Sequence, residues 1–277
     1  MRYQFYYYTK FTEKLLDFLT ETRIKHQVYD NGYVKFSLYS SQPDHQNLLD
    51  TLTSVYHCPK PLVDCDYTAK ERNEAEFLWL TPCKYCIEIT NKEDAYQYAC
   101  AYEHTPTHTQ RVHHKKQIGT FQIAKVPNLN TKTAFFAPDT GSNELFADHR
   151  IKALAEEHHL QGLTFLPLLL KNGQESPDIF QLTSPHVFGL SAVVRGYGET
   201  SDFCPLCGKE ALVAASAYQM HLDRSQLNPT LDLMVSDSFW GEGITYSTQI
   251  ISQRFYKLLQ QEKLTGSLRI DPIVLHD

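Results

Sequence analysis

Long apolar runs are missing from this sequence. The first twenty residues, MRYQFYYYTKFTEKLLDFLT, hold no continuous hydrophobic core of a secretory leader, and nothing downstream approaches the ~18 apolar residues of a membrane span. Both absences predict a cytoplasmic chain with no membrane segment. Basic charge is also short: 26 Lys and Arg stand against 32 Asp and Glu, a net charge of −6. That balance disfavours a nucleic-acid partner and favours a basic protein surface. Three catalytic signatures are absent as well: the Gly-x-Ser-x-Gly nucleophile elbow, the phosphate-cradling loop ending in Lys-Ser/Thr, and the dinucleotide fingerprint. The expectation is a protein that is not an enzyme and takes no small-molecule substrate.

What is present begins with cysteine. The seven cysteines are an odd number, and they include two Cys-x-x-Cys pairs, Cys83/Cys86 and Cys204/Cys207. This usage fits a reducing compartment with a metal site better than a secreted disulfide framework. Two thiolates two residues apart point the same way from one tight turn and fill two corners of a tetrahedral zinc ion, so two such loops complete it. A closed four-thiolate site leaves no position for water and acts as a structural staple, not a Lewis acid. The two loops differ in one respect. Gly208 follows Cys207 and can take the positive φ that a knuckle turn prefers, whereas the β-branched Ile87 follows Cys86 and would be strained there. The first loop therefore needs another turn, or gives up its place to Cys58, Cys65 or a histidine of the 104–114 segment. Cys58, Cys65 and Cys100 otherwise read as single buried thiols.

With 277 residues and 42% apolar content the chain can bury a sizeable core. The pattern predicts an α+β fold. Residues 1–60 read as a small β-α-β-β-α unit: an aromatic strand with Tyr3, Phe5 and Tyr7 on one face and Tyr6 and Tyr8 on the other, a helix carrying Leu15, Leu16 and Leu19, two strands about Asn31-Gly32, and a helix carrying Leu48, Leu49 and Leu52. Residues 61–75, with their prolines and charges, read as a linker. Beyond lies an internal echo. FADHRIKALAEEHHLQGLTFLPLLL (146–170) resembles IISQRFYKLLQQEKLTGSLRIDPIVL (250–275). In each, an Arg (Arg150, Arg254) opens an amphipathic helix, a Leu-x-Gly closes it, and a strand meets Pro167 or Pro272. Gly162 and Gly266 are expected to supply left-handed caps. The echo predicts a mixed α/β domain over 76–277 made of two halves, about 76–172 and 173–277, each giving one Cys loop to a shared zinc.

Other chemistries are weaker. Cys83-Lys84-Tyr85-Cys86 has thioredoxin-like spacing, but the strand-like IEITN that follows lacks the helix dipole a low-pKa thiol needs. His104, His108, His113 and His114 sit in a polar stretch that reads as solvated loop, and the basic patch of Arg111, Lys115 and Lys116 is too short to argue nucleic-acid binding. His158 and His159 fall near a helix C-terminus without metalloprotease spacing. Asp232, Asp237 and Glu242, around SDSFWGEG, serve acid–base chemistry only if a cleft joins them, and a solvated turn is the simpler account.

The Cys-x-x-Cys loop, the distant CPLCG and the closing IISQRFYKLLQQEKLTGSLRIDPIVL together resemble the double-CXXCG-motif immunity proteins of bacterial polymorphic and contact-dependent toxin systems. The resemblance covers roughly residues 76–277. Its most specific part is Ser252, Arg254 and Phe255, followed by Leu-Thr-Gly and Pro272; the missing Gly after Cys86 departs from the pattern. It implies a cytoplasmic, non-enzymatic protein that binds and neutralises one cognate toxin. The alternative is a zinc-ribbon-type nucleic-acid-binding or regulatory protein.

Overall fold

A computed structural model describes the chain apart from residues 60, 83–85, 99–114, 130–131, 140–143, 205–207, 215–217 and 242–244. The fold is mixed α+β and divides into two units, residues 1–69 with 215–219, and residues 70–214 with 220–277.

In the first unit, strand β1 (Arg2–Lys10) is followed by helix α1 (Glu13–Glu21), strands β2 (His26–Tyr29) and β3 (Tyr33–Tyr39), helix α2 (His45–Ser54) and strand β4 (Leu62–Asp66). The sheet order is β2-β3-β1-β4, with β1 antiparallel to both β3 and β4. Thr12 caps α1 by accepting the Leu15 N–H at 3.2 Å. Alternation then sorts the side chains: Tyr7, Val34, Phe36 and Leu38 form one core with Leu15 and Leu19 of α1 and Leu52 of α2. On the opposite face Tyr8 is 52% exposed and stacks on Tyr33, ring centroids 4.8 Å apart. The stretch expected as a linker, 61–75, instead holds β4, which makes this unit β-α-β-β-α-β, and a helix, α3 (Ala69–Glu74). Strand β4 is a short edge strand in which Asp64 and Asp66 flank buried Cys65, so it carries no run of apolar residues for a sequence reading to catch.

The second unit continues with β5 (Phe77–Pro82), β6 (Cys86–Ile87), a single-turn helix α4 (Lys92–Ala95), β7 (Tyr96–Tyr98), β8 (Lys115–Gln117) and β9 (Gln122–Ile123). It then runs through β10 (Phe135–Pro138), β11 (Leu145–Asp148), helix α5 (His149–Glu157), β12 (Thr164–Leu170), β13 (Glu175–Thr183) and β14 (Val187–Phe188). The hairpin β15 (Glu199–Phe203) and β16 (Glu210–Ala214) follows, then β17 (His221–Asp223), β18 (Leu233–Ser236), β19 (Gln249–Ser252), helix α6 (Gln253–Gln261), β20 (Leu268–Pro272) and β21 (Val274–His276).

Its two larger sheets, β6-β10-β11-β13-β12-β9 and β14-β18-β19-β5-β20, repeat one plan. In each, a two-residue strand runs parallel to the next, Cys86 opposite Ala137 and Val187 opposite Val235. That strand is antiparallel to the one before the helix, Phe135 opposite Ala147 and Leu233 opposite Ile251. The helix starts from a side-chain cap, Asp148 or Ser252, and the strand after it sets a proline in the same register, Pro167 opposite Phe180 and Pro272 opposite Leu78. The strand filling the middle of each sheet comes from the other half of the chain: β13 lies between β11 and β12, and β5 between β19 and β20. Leu78, Leu80, Phe135, Leu145, Leu182, Leu233, Phe255 and Leu259 belong to one buried cluster that includes both helices.

The echoing glycines have a different task from the expected one. The left-handed residues closing α5 and α6 are His159 (φ 51°) and Lys263 (φ 57°). A Cβ on Gly162 would stand 2.4 Å from the Leu233 carbonyl oxygen, and one on Gly266 would stand 2.7 Å from that of Lys132. Each glycine lets the chain after one helix press against the backbone of the opposite half.

Candidate metal half-site and interior cleft

The tip of the β15–β16 hairpin carries the second Cys pair. Phe203 pairs with Glu210; beyond them the Cys204 N–H donates to the Lys209 carbonyl at 2.9 Å and the Gly208 N–H donates to the Cys204 carbonyl at 2.8 Å. Gly208 has φ +68°, with nothing near the position of a Cβ. These bonds and that φ are what a knuckle turn requires, and they suit Cys204 as one ligand of a metal half-site. Cys207 lies outside the described residues, as does Cys83. Cys86 opens β6 as an exposed residue, and Ile87 after it is buried strand without the positive φ of Gly208. The two loops also hold different places in the repeated plan. Cys86 ends the connection from β5 to β6, whose counterpart between β13 and β14 is Ser184, Pro185 and His186, while the CPLCG loop caps a hairpin inserted further on. Each half still carries one Cys loop, at places that do not correspond in the repeated plan.

Among the described residues, no three His, Cys, Asp or Glu side chains gather as a metal-binding group. Cys58 packs in the first unit's core, where burial pushes its thiol pKa up and favours the neutral form over a thiolate ligand. Cys100, His104, His108, His113, His114, Arg111 and Glu242 lie outside the described residues. Asp232 is no acid–base candidate: it is buried, accepts from Ser252 Oγ at 2.6 Å and the Gln161 N–H at 2.8 Å, and pairs with Arg254 at 3.3 Å. His158 is half-buried and His159 exposed, and the His158 carbonyl accepts from Arg254.

The hairpin is tied to the body through tryptophan. Leu212 of β16 bonds to the backbone on either side of Trp240, and the Trp240 ring lies 6.5 Å from that of Trp79 on β5, the strand that runs into the first Cys pair. Beside the hairpin, a cleft of about 730 Å³ opens between the two large sheets. Asp237 lines it, as do Lys209, Glu210, Phe239 and Tyr246. Glu210 accepts from Arg195 and Ser201, which hold its carboxyl below the usual range. Gln117 and Gln181 join across the cleft wall by a reciprocal amide pair, at 2.8 and 2.6 Å. Two more residues that line the cleft each carry an acceptor closed off from solvent. Gln249 is 4% exposed and its Oε1 has no hydrogen-bond partner among the described residues; Glu144 Oε2 is likewise buried and unpartnered. Each such group left bare costs about 1–3 kcal/mol. Sequence reasoning passed over both, although a glutamine inside the apolar strand QIIS was a usable signal.

No model of a known protein family matches this chain, and no curated protein matches it.

Proposed function

We propose that this chain is a non-enzymatic immunity protein that binds and neutralises a cognate protein toxin, its second unit stapled by one structural zinc ion. The single observation that carries the reading is the knuckle geometry at Cys204–Lys209, with Gly208 at φ +68°. In it Cys204 and Cys207 would hold the ion with Cys83 and Cys86, and a four-thiolate site supplies cross-linking alone. The stack of Trp240 on Trp79 supports convergence, because it fastens the body of one loop's hairpin to the strand leading into the other. The net charge of −6 suits capture of a basic toxin surface. No helix among the described residues is long and apolar enough to cross a membrane.

The test is co-expression of the chain with the toxin encoded beside it. The expected result is rescued growth and a complex that survives gel filtration; neither appearing would end the reading. Metal analysis of the purified protein checks the staple. One zinc per chain is expected, falling with Cys204→Ser together with thermal stability.

A second reading rests on the outer face of the first unit's sheet, where Tyr8 and Tyr33 stack beside the neighbouring strand residues Lys10 and Lys35, a pattern that suits single-stranded nucleic acid. A steeply salt-dependent affinity for an oligonucleotide, lost in Tyr8→Ala, would favour it over the first.

A further inference from the structure

Parallel strands β17 and β21 bring two imidazoles together at a place that neither the cysteine loops nor the cleft uses. The register sets Asp223, two residues after His221, opposite His276, so both rings rise from the same side of the ribbon. His221 Nδ1 stands 2.9 Å from His276 Nε2. Tyr197 roofs the pair, its ring centroid 3.7 Å from that of His221 and 5.2 Å from that of His276. Tyr197 is 45% exposed and His276 half-buried, so the pair lies just under the surface. The end of the strand is also held, because Arg224 Nε donates to Asp277 at 2.8 Å. The rings are thus positioned by the fold itself.

Two chemistries fit two ring nitrogens at that separation. One is an N–H···N hydrogen bond. The other is shared coordination of a metal ion: with each nitrogen about 2.0–2.1 Å from the ion, ligands at right angles stand about 2.9 Å apart, and tetrahedral ones about 3.3–3.4 Å apart. The observed spacing selects a tetragonal or octahedral ion, and imidazole in that geometry suits Cu²⁺ and Ni²⁺. Coordination needs neutral imidazole. Burial, and then the neighbouring His276, lower the His221 pKa against an opposing pull from Glu199, whose carboxylate accepts from the Gly196 and Tyr197 N–H groups. We propose that His221 and His276 form a cross-strand chelate for a divalent transition-metal ion, Ni²⁺ or Cu²⁺, that fastens β21 to β17. Among the described residues no third His, Cys, Asp or Glu joins them, so water completes the coordination sphere. To receive the ion, the ring that donates the shared hydrogen bond carries its proton on its far nitrogen instead, and both facing nitrogens offer lone pairs. No electron is transferred. The site differs from the cysteine loops in ligand and geometry, and holds whether or not they bind zinc.

Ni²⁺, which does not oxidise thiols, is the probe. Equilibrium dialysis of the full chain should give a Ni²⁺ stoichiometry that falls by one in His221→Gln, by one in His276→Gln and by no more than one in the double variant, because the two rings serve one ion. Histidines and cysteines elsewhere contribute equally to all four proteins. The lost ion should carry no thiolate-to-nickel charge-transfer absorption. Its binding should fade as pH falls through about 6.5, where protons compete for the rings. In the wild type, Ni²⁺ should raise amide protection across Val274–His276, and neither single variant should show this. A measurement that needs no variant is ring-proton resonance broadening, which should strike His221 and His276 together at substoichiometric Ni²⁺. A stoichiometry unchanged in either single variant, a thiolate band belonging to the lost ion, or broadening confined to other histidines would overturn the proposal and leave the N–H···N bond as the pair's whole role.

Discussion

Gly162 and Gly173 share a left-handed backbone, φ +84° and +81°, and differ in what surrounds them. Nothing lies within 4 Å of a Cβ built on Gly173, while one on Gly162 meets the Leu233 carbonyl. Alanine at 173 should therefore cost only the conformational penalty, about 1 kcal/mol. At 162 the same penalty is joined by displacement of backbone in the facing half, and about 3 kcal/mol or more is expected, read as a shift in urea midpoint at constant slope. The sequence marked Gly162 and Gly266 as meaningful but assigned them a cap. A glycine that permits a turn and one that permits a close approach look alike in one dimension, because the atom that would clash is supplied by a strand far along the chain. Cys204 was legible for the opposite reason: its two described turn bonds are made within the loop from Cys204 to Lys209.

At the scale of elements, β17 and β21 form a parallel pair that brings His221 Nδ1 within 2.9 Å of His276 Nε2, with Tyr197 stacked 3.7 Å over the His221 ring. Burial first, and then the neighbouring His276, lower the His221 pKa, against an opposing pull from Glu199. The folded state thus favours the neutral imidazole. The unfolded chain, with an ordinary value near 6.5, takes up a proton earlier as pH falls, so this contribution to stability is complete above about pH 6.5 and disappears as pH drops through the lowered folded value. The melting temperature should decline between pH 7 and pH 5, and His221→Gln should flatten that decline. Helices α1, α2, α5 and α6, the aromatic first strand and the Asn31-Gly32 hairpin were all readable from local periodicity and turn chemistry. Within TFQIAKVPNL, residues 120–129, only Gln122–Ile123 forms a strand, since β9 pairs at the sheet edge with only two residues of β12. Edge strands draw their stability from a neighbour, and periodicity does not reveal a neighbour.

For the molecule as a whole, the decisive feature is that each half of residues 76–277 lends a strand to the other's sheet. The repeat itself left a trace in the sequence, Arg150 with Arg254 and Pro167 with Pro272, and the two prolines hold the same place in the two sheets. The lending left none, since a strand reads the same whichever sheet receives it. The turn from β12 to β13, residues 171–174, is exposed and contains Lys171. A single tryptic cut there should leave the two pieces travelling together on a native gel and separating only under denaturation, because β13 stays held by β11 and β12, and β5 by β19 and β20.

The same arrangement sets a timetable for synthesis. As the chain leaves the ribosome, the sheet of β10, β11 and β12 waits for β13, while β5, among the first strands of its unit to emerge, finds its two neighbours only when β19 and β20, on either side of α6, have been made. Nascent β5 therefore stays an unmatched apolar strand while the segment up to β19 is made, and the unit cannot close before β20 has emerged.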